Sequence, residues 1–586
     1  MKHSSLAVLA LVLAVLGLRL SGLDYSAPYW VESDAYTALH AGELRADRGS
    51  NPRAANDTHY PHLIAQLAHR LPAVERPDAS DPVYQGQPER LRAAHLAAAG
   101  QSFFHVRLVV ALLSLLAIPG TWFLARRFLC RRWSLFAVAL CSTSLLFQCF
   151  AQQARPHAAA AALMLVSVLC ALRLRRRPSL VNYTLAGLTA ALAFACLHSG
   201  VAVLLPLAAA YLIRALPSGT SPLRRVVDGR ALILLALVLL AVPLFYPFFL
   251  DATQMAAAEG LDVSEEAVGF THHNVAFDAF NGAGFATVLR TLWTWEPALG
   301  LLVALALLVW LATLGRRAQL GEVGPEERGD QLVVLSFCLP YLFVIGLYAE
   351  TYERFLLPLV PFLAVFAALG LARLSRAPAW RRPVAAVAVS ALLVSGWSAG
   401  HLAWLRTRPD TLELTSSWLE QHADRASDSV FLFPPPLDLP LGRDAASLGV
   451  RGNRPTVLFN TWSRYQARLD GGGPAPQWSL RWIVGHPSLR GSRDPELVAS
   501  FLDEQGPGLF VVQVMTARAP RFVSLMRAEL ARRGERVARF GPDPDPDSCD
   551  YPLFDQDELV PDWPNVFARL WRARALGPVV EVYRVD

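Results

Sequence analysis

Apolar stretches, each about the length of a membrane-spanning helix, alternate along this chain with joints rich in arginine. A bilayer core of about 30 Å takes roughly 17–25 apolar residues in helix. Runs that qualify, or nearly so, lie at 6–23, 107–125, 133–150, 157–172, 180–197, 200–216, 231–250, 297–314, 331–349, 355–373 and 383–401, which predicts eleven transmembrane helices. The 157–172 run is short enough for a partly interfacial reading. The first run, behind Lys2 and ending in small residues, is open to a signal-peptide reading. Three pieces exceed simple connectors. Residues 24–106 and 251–296 form large loops, and long loops within compact proteins usually serve function. Inside the first, Pro88–Ala99 reads as a helix opening on proline. Beyond residue 402, short β-type runs (430–433, 457–459, 509–514, 579–585) alternate with helical patterns (412–422, 495–504, 521–533, 563–572). That alternation predicts a small α/β unit over 403–586. The division expected is therefore a transmembrane domain, 1–402, and a soluble domain, 403–586.

Composition narrows the class. Of 586 residues, 53% are hydrophobic and only 17% charged, against about 25% charged in a soluble domain. Disorder, a coiled coil and an ordinary cytosolic enzyme are excluded, and the chain is read as a polytopic α-helical membrane protein. The net charge of +6 says less than the spacing of the arginines. Joints after the second, fourth, sixth, eighth and tenth spans carry Arg126, Arg127, Arg131 and Arg132; Arg173, Arg175, Arg176 and Arg177; Arg214, Arg224, Arg225 and Arg230; Arg316, Arg317 and Arg328; and Arg373, Arg376, Arg381 and Arg382. The short joints on the opposite side hold Arg155, Arg290 and Arg354. By the positive-inside rule the amino terminus is expected in the cytoplasm and the carboxy-terminal domain outside it, in a plasma or inner membrane. Six of the seven cysteines lie in or beside apolar runs; Cys549 alone belongs to the tail, so no disulfide framework is expected there.

Polar chemistry collects at the outer ends of the spans rather than at their middles. Glu32, Asp34, His59, His62, Arg155, His157, His198, His272, His273, Glu350, Glu353 and Arg354 all fall on that side by this topology. A transporter places such groups near the midplane; an enzyme acting on a lipid headgroup places them at the surface. A carboxylate at the interface, Glu32 or Asp34, has the character of a general base with a raised pKa, or helps hold a divalent cation; its alternative reading is a helix cap. Arg155, the one cation of a tight hairpin, suits bidentate pairing with a lipid phosphate, or else snorkels to ordinary headgroups. Arg354 either does likewise or pairs with Glu353. The histidines show no zinc-site spacing, and no phosphate-binding glycine loop or nucleophile elbow is present.

Four segments in this order resemble the GT-C superfamily of integral-membrane glycosyltransferases, which includes the protein O-mannosyltransferases, the aminoarabinose transferases of lipid A and the lipopolysaccharide sugar transferases. Glu32-Ser33-Asp34-Ala35-Tyr36 resembles the acidic motif after the first span, and Tyr60-Pro61-His62-Leu63 the Tyr-Pro-Pro-Leu that follows. Phe150 to His157 resembles the Ser-Gln-Glu-Ala-Arg-x-Tyr hairpin, and Tyr352 to Pro361 the Arg-Tyr-Leu-Leu-Pro-Leu-Leu-Pro segment. The likeness spans roughly residues 1–430. It departs from the family where Glu32 is displaced by one position, where Gln153 replaces glutamate and where His62 replaces the second proline.

The resemblance implies a GT-C-like fold and an inverting transfer, outside the cytoplasm, of a hexosyl or pentosyl group from a polyprenyl-phosphate-linked sugar to a lipid, glycan or protein acceptor. Asp34, with Glu32 as fallback, would be the base, and Arg155 and Arg354 would bind the donor phosphate. Tyr36, His59, Tyr60, His62, His157 and Glu353 would contact substrate. No cofactor is required on this reading; a divalent cation is compatible with it, and no metal ligand is assigned. The expected partners are the lipid-linked donor, the acceptor and membrane lipids, with no nucleic acid. The alternatives are an oligosaccharyl transferase or ligase using a diphosphate-linked glycan, a non-catalytic scaffold, and a lipid or glycan transporter; the last predicts ionisable groups within spans and repeat symmetry, and neither is found in the sequence.

Overall fold

A computed structural model describes residues 2–25, 37, 41, 60–72, 81–85, 88–214, 228–246, 267–270, 273–320, 324–424, 427–433, 439, 479–482, 495–514, 521–542 and 566–586. The chain divides into two compact units. One comprises Met1–Ser21, Tyr36–Leu71 and His105–Leu402, the other Gly22–Ala35, Pro72–Phe104 and Ala403–Asp586.

The first unit is helical. Its elements begin with α1 (Lys2–Leu20), α2 (Leu63–Ala68), α3 (Pro88–Ser114, which enters from the second unit), α4 (Ala117–Ala125), α5 (Arg131–Ser142), α6 (Leu145–Ala151) and α7 (His157–Arg176). They continue with α8 (Leu180–Cys196), α9 (Leu204–Leu212), α10 (Arg230–Phe245), α11 (Ala283–Thr294), α12 (Pro297–Leu320), α13 (Pro325–Leu347), α14 (Val360–Leu374) and α15 (Arg381–Leu405). Among the described residues five stretches are long and apolar enough to cross a membrane: Gly100–Ala125, His157–Arg176, Glu326–Leu347, Glu353–Leu374 and Pro378–Leu405. Two bent pairs raise this to seven, α5 with α6 at 53° and α11 with α12 at 116°. Apolar helices too short for that test are Leu6–Leu20, Leu180–Cys196, His198–Leu212 and Arg230–Phe245. The protein is a multi-pass membrane protein.

Two boundaries differ from the sequence reading. The helix opening at Pro88 does not stop inside the first loop; it runs unbroken to Ser114, because alanine, leucine and arginine continue it and Gly100 alone does not break it. The second loop is not all connector either. It holds a hairpin, β1 (Ala267–Phe270) against β2 (His273–Ala276), and then α11, an amphipathic segment rather than an apolar run.

Burial sorts the helices. The expected short span at 157–172 is a 20-residue helix, and it is the most enclosed of the five long stretches. The row of alanines, Ala158 to Ala162, lies wholly buried, since small side chains let neighbouring backbones come close where no hydrophobic effect drives helix association. Leu232, Leu239, Leu308, Leu393 and Phe343 instead point outward, as lipid-facing residues do. The helix α1 packs through Val15 against Ile118 of α4 and Val138 of α5.

Joints that the arginine spacing assigns to one side meet in space. Asp330 of α13, 1% exposed, accepts from Arg175 Nε at 3.1 Å and Arg175 Nη2 at 2.7 Å, and pairs with Arg176 of α7. Arg127, after α4, stands 4.0 Å away. A further cluster joins Arg230 and Tyr183 to Asp228.

The second unit carries a five-stranded sheet of β3 (Ser429–Phe433), β4 (Ser479–Trp482), β5 (Gly508–Val514), β6 (Glu535–Phe540) and β7 (Val579–Val585) in the order β4-β3-β5-β7-β6. The pairs β3–β4 and β3–β5 are parallel; β5–β7 and β6–β7 are antiparallel. Its helices are α16 (Thr411–His422), α17 (Pro495–Gln505), α18 (Arg521–Arg533) and α19 (Val566–Arg572). Phe431, Phe510 and Val512 of the sheet close a core with Val498 and Leu502 of α17 and Met526 and Leu530 of α18. The strand β6, with Glu535, Arg536 and Arg539, carries too much charge to read as a β-type run, and β4 is only four residues long; the run at 457–459 lies outside the described residues.

Candidate active site

The hairpin between α6 and α7 is fixed from both ends. At the start of α6, Ser144 accepts from Phe147 N as an N-cap. Glu296, in the sharp joint between α11 and α12, accepts from Ser144 Oγ at 2.6 Å and from Leu146 N at 2.8 Å. A buried carboxylate thus satisfies free N–H groups that a helix start always leaves. At the far end, Gln152 Nε2 lies within hydrogen-bonding distance of the carbonyls of Leu18 (3.2 Å), Arg19 (3.2 Å) and Ser21 (2.6 Å), and Gln148 Nε2 donates to Leu18 O at 3.0 Å. These are the orphan carbonyls at the end of α1, just before the acidic stretch that the sequence singles out. Arg19 itself is buried, with Nη1 donating to Ser114 Oγ at 2.6 Å and its guanidinium 5.2 Å from the centre of Phe147.

From this hairpin project Arg155, wholly buried, and His157, the first residue of α7. A 3-10 helix over Glu353–Leu359 supplies Arg354, also buried, which lies 4.2 Å from the ring centre of Tyr352 and 5.6 Å from that of Phe355. His157 is where these pieces meet. Its ring stacks on Phe355 at 6.4 Å, takes the edge of Tyr60 at 5.8 Å and lies 6.3 Å from Phe150. Arg354 lies against the same Phe355 ring as His157, and Arg155 stands two residues before His157 in the hairpin. Two guanidinium groups from segments about 200 residues apart in sequence therefore share one buried aromatic neighbourhood. Such a place strengthens their pull on an anion, because little water screens it.

Of the residues named from sequence, Arg155, His157, Tyr60 and Arg354 come together. Glu353 is buried beside Arg354 in the chain. His62 is buried two residues after Tyr60, its backbone N–H donating to Phe245 O at 3.0 Å, which seats this segment on the end of α10. Asp34, Glu32, Tyr36 and His59 lie outside the described residues. The sequence reading passed over Glu296, Trp295, Gln148 and Arg19. A signal existed for the first two: Trp293-Thr294-Trp295-Glu296-Pro297 sets a carboxylate between aromatic residues at the brink of an apolar run. Among the described residues no group of three or more His, Cys, Asp or Glu side chains is arranged to hold a metal ion.

Comparison with known proteins adds a family match. A family model described as "Dolichyl-phosphate-mannose-protein mannosyltransferase" matches residues 91–250, the stretch from α3 to the end of α10 that contains the Arg155 hairpin. No curated protein matches the chain. Among solved structures, ArnT from Cupriavidus metallidurans in its apo state aligns at 14% identity over 91% of this chain and 96% of its own, with a TM-score of 0.44. The apo oligosaccharyltransferase of Archaeoglobus fulgidus aligns at 13% identity over 88% of this chain and 70% of its own, TM-score 0.42. The arabinofuranosyltransferase AftD from Mycobacteria aligns at 16% identity over 99% of this chain and 40% of its own, TM-score 0.41. The matched stretch, 91–250, is the part of the chain that carries Arg155.

Proposed function

We propose that this protein is a membrane glycosyltransferase that moves a single sugar from a polyprenyl-phosphate donor to a lipid, glycan or protein acceptor on the extracytoplasmic side. The observation that carries the reading is the convergence of Arg155 and Arg354 on His157 within a buried aromatic cluster. The family match and the motif order support it.

The chemistry follows from charge. When the bond from the anomeric carbon to the donor oxygen breaks, the phosphate leaves with added negative charge. Arg155 and Arg354 would stabilise that charge, and fixed cations in a water-poor site act more strongly on it than in bulk water. The acceptor hydroxyl or amine would lose its proton to Asp34, or to Glu32, as it attacks from the opposite face, which inverts the anomeric centre. Tyr36, His59, Tyr60, His62, His157 and Glu353 would shape the surrounding surface. In this reading the chain crosses the membrane eleven times, with its amino terminus in the cytoplasm and residues 403–586 forming an extracytoplasmic α/β domain that helps hold the acceptor. Transfer proceeds without a cofactor; a divalent cation, where it acts, assists the phosphate.

The test is transfer from a polyprenyl-phosphate monosaccharide to an envelope acceptor extract by the purified full chain. Asp34→Asn is expected to lower turnover by about 10²–10⁴, with donor binding retained. Equal transfer by both proteins removes Asp34 from the mechanism. Activity only with a diphosphate-linked glycan, abolished by EDTA, points to the oligosaccharyl-transferase alternative.

A further inference from the structure

Among the described residues, three buried side chains around the Arg155 hairpin carry polar atoms with no hydrogen-bond partner. Trp295 is 2% exposed, and its indole Nε1–H has no acceptor. His157 is 3% exposed, and its Nδ1 has no partner. Gln153 is wholly buried; its Nε2 contacts Cys149 Sγ at 3.3 Å, while its Oε1 accepts nothing. Exchanging the amide's two ends would still leave one of them unsatisfied in the same place. Buried tryptophan N–H groups usually find an acceptor, and buried polar atoms left unpaired are few in native proteins.

These three belong to one wall. Trp295 lies 6.4 Å from Phe150, ring centre to ring centre, and Phe150 lies 6.3 Å from His157. Gln153 sits between Phe150 and His157 on the same hairpin. The wall offers an N–H donor, an imidazole nitrogen that donates or accepts according to tautomer, an amide, and flat apolar rings. It carries no cation of its own. A phosphate is served by Arg155 and Arg354 rather than by these groups, and a polyprenyl tail makes no use of hydrogen-bonding atoms. A monosaccharide ring uses all of it, since its hydroxyls both donate and accept while its C–H faces lie against aromatic rings.

We propose that Trp295, Gln153 and His157 form the subsite for the hydroxyl groups of the transferred sugar, separate from the arginines that take the donor phosphate. This rests on the glycosyltransferase reading above and assigns Trp295 and Gln153 to the sugar.

The experiment measures binding to the full-length protein in nanodiscs. The probes are polyprenyl phosphate and a panel of polyprenyl-phosphate hexoses and pentoses, with mannose and arabinose among them. Wild type is expected to bind at least one glycosylated lipid about tenfold or more tightly than the bare lipid phosphate. Trp295→Phe keeps the ring and removes the N–H; it is expected to cut that margin about fivefold while leaving bare-lipid affinity within twofold. Gln153→Met, of similar length, is expected to do the same and serves as the second probe if Trp295→Phe misfolds. Arg155→Gln is expected to weaken both lipids together. A wild-type protein that binds the bare lipid and every glycosylated lipid equally overturns the sugar subsite alone. So does a margin that both Trp295→Phe and Gln153→Met leave intact. Binding of neither class of lipid overturns the glycosyltransferase reading and the subsite with it.

Discussion

Asp330 is a carboxylate that the bundle keeps only because three arginines surround it. Removing one partner from a buried ion pair leaves an uncompensated charge, which costs about 3–5 kcal/mol, far more than a surface pair contributes. Asp330→Asn keeps the shape and removes the charge, stranding Arg175 and Arg176. It is expected to lower the thermal midpoint in detergent markedly, and a midpoint within a degree of wild type would show that the cluster is solvated and of little weight. Glu296 acts at the same scale, but on the site. Glu296→Gln retains one acceptor for Ser144 and Leu146 and loses the charge at the start of α6. The expected result is a loss of about 1–2 kcal/mol in stability and a drop in turnover through the displaced Arg155 hairpin, checked by melting and by transfer kinetics. Residue identity was the least legible part of the site from sequence alone. Arg155 and Arg354 stand out because few cations fall in the short joints that the arginine spacing groups with theirs. Trp295 and Gln148 did not, because aromatic and amide side chains are common near membrane surfaces and only their partners give them meaning.

Helix ends, more than helix middles, hold the elements in place. The end of α1 is tied to the hairpin by Gln152 and Gln148, and Gly22, two residues past the helix, takes the left-handed conformation at φ 67°. Gln152→Leu removes three contacts to carbonyls at once, and faster hydrogen exchange at residues 18–25 is the expected readout; unchanged exchange there would mean that α1 is held by Val15 and its neighbours alone. In the second unit, α16 opens with a capping box, Asp410 accepting from Leu412 N and Glu413 N while Glu413 accepts from Asp410 N. Burial, and then the neighbouring Asp410, raises the Glu413 carboxyl to about 7 from an ordinary 4.5. Between those two values the folded protein keeps a proton that the unfolded chain has released, so stability falls as pH rises through this window. Glu413→Gln is expected to flatten the fall, which is on the order of 1 kcal/mol once solvent screening of a partly exposed group is allowed for. A melting profile between pH 4.5 and 7.5 that is equally steep in both proteins would contradict this. Close packing shows at Gly187 of α8, where an added Cβ would stand 2.8 Å from Leu234 Cα of α10. Helix existence was well marked in sequence because apolar runs of this length have few other uses. Boundaries were not: the continuation of α3 from Pro88, and the amphipathic α11, lack the uniform hydrophobicity that marks a span.

At the scale of the molecule, arginine spacing was the most informative feature of the chain. It assigned the joints near Arg127, Arg175, Arg176 and Asp330 to one side and those near Arg155, His198 and Arg354 to the other, and each set meets in space. Sequence separation hides such meetings, since nothing local says that residue 155 approaches residue 354. A charge rule applied joint by joint recovers them because every crossing reverses the side. The same logic makes the convergence of Arg155 and Arg354 meaningful. Two buried arginines beside one histidine are, on the proposed reading, what would hold an anion there. The most direct measurement of this claim is the affinity of purified protein in nanodiscs for polyprenyl phosphate, compared among wild type, Arg155→Gln, Arg354→Gln and the double variant. The account predicts that each single variant weakens binding about tenfold or more, and that the double variant loses less than the sum of the two because both act on one phosphate. Wild-type affinity retained in the double variant would contradict it.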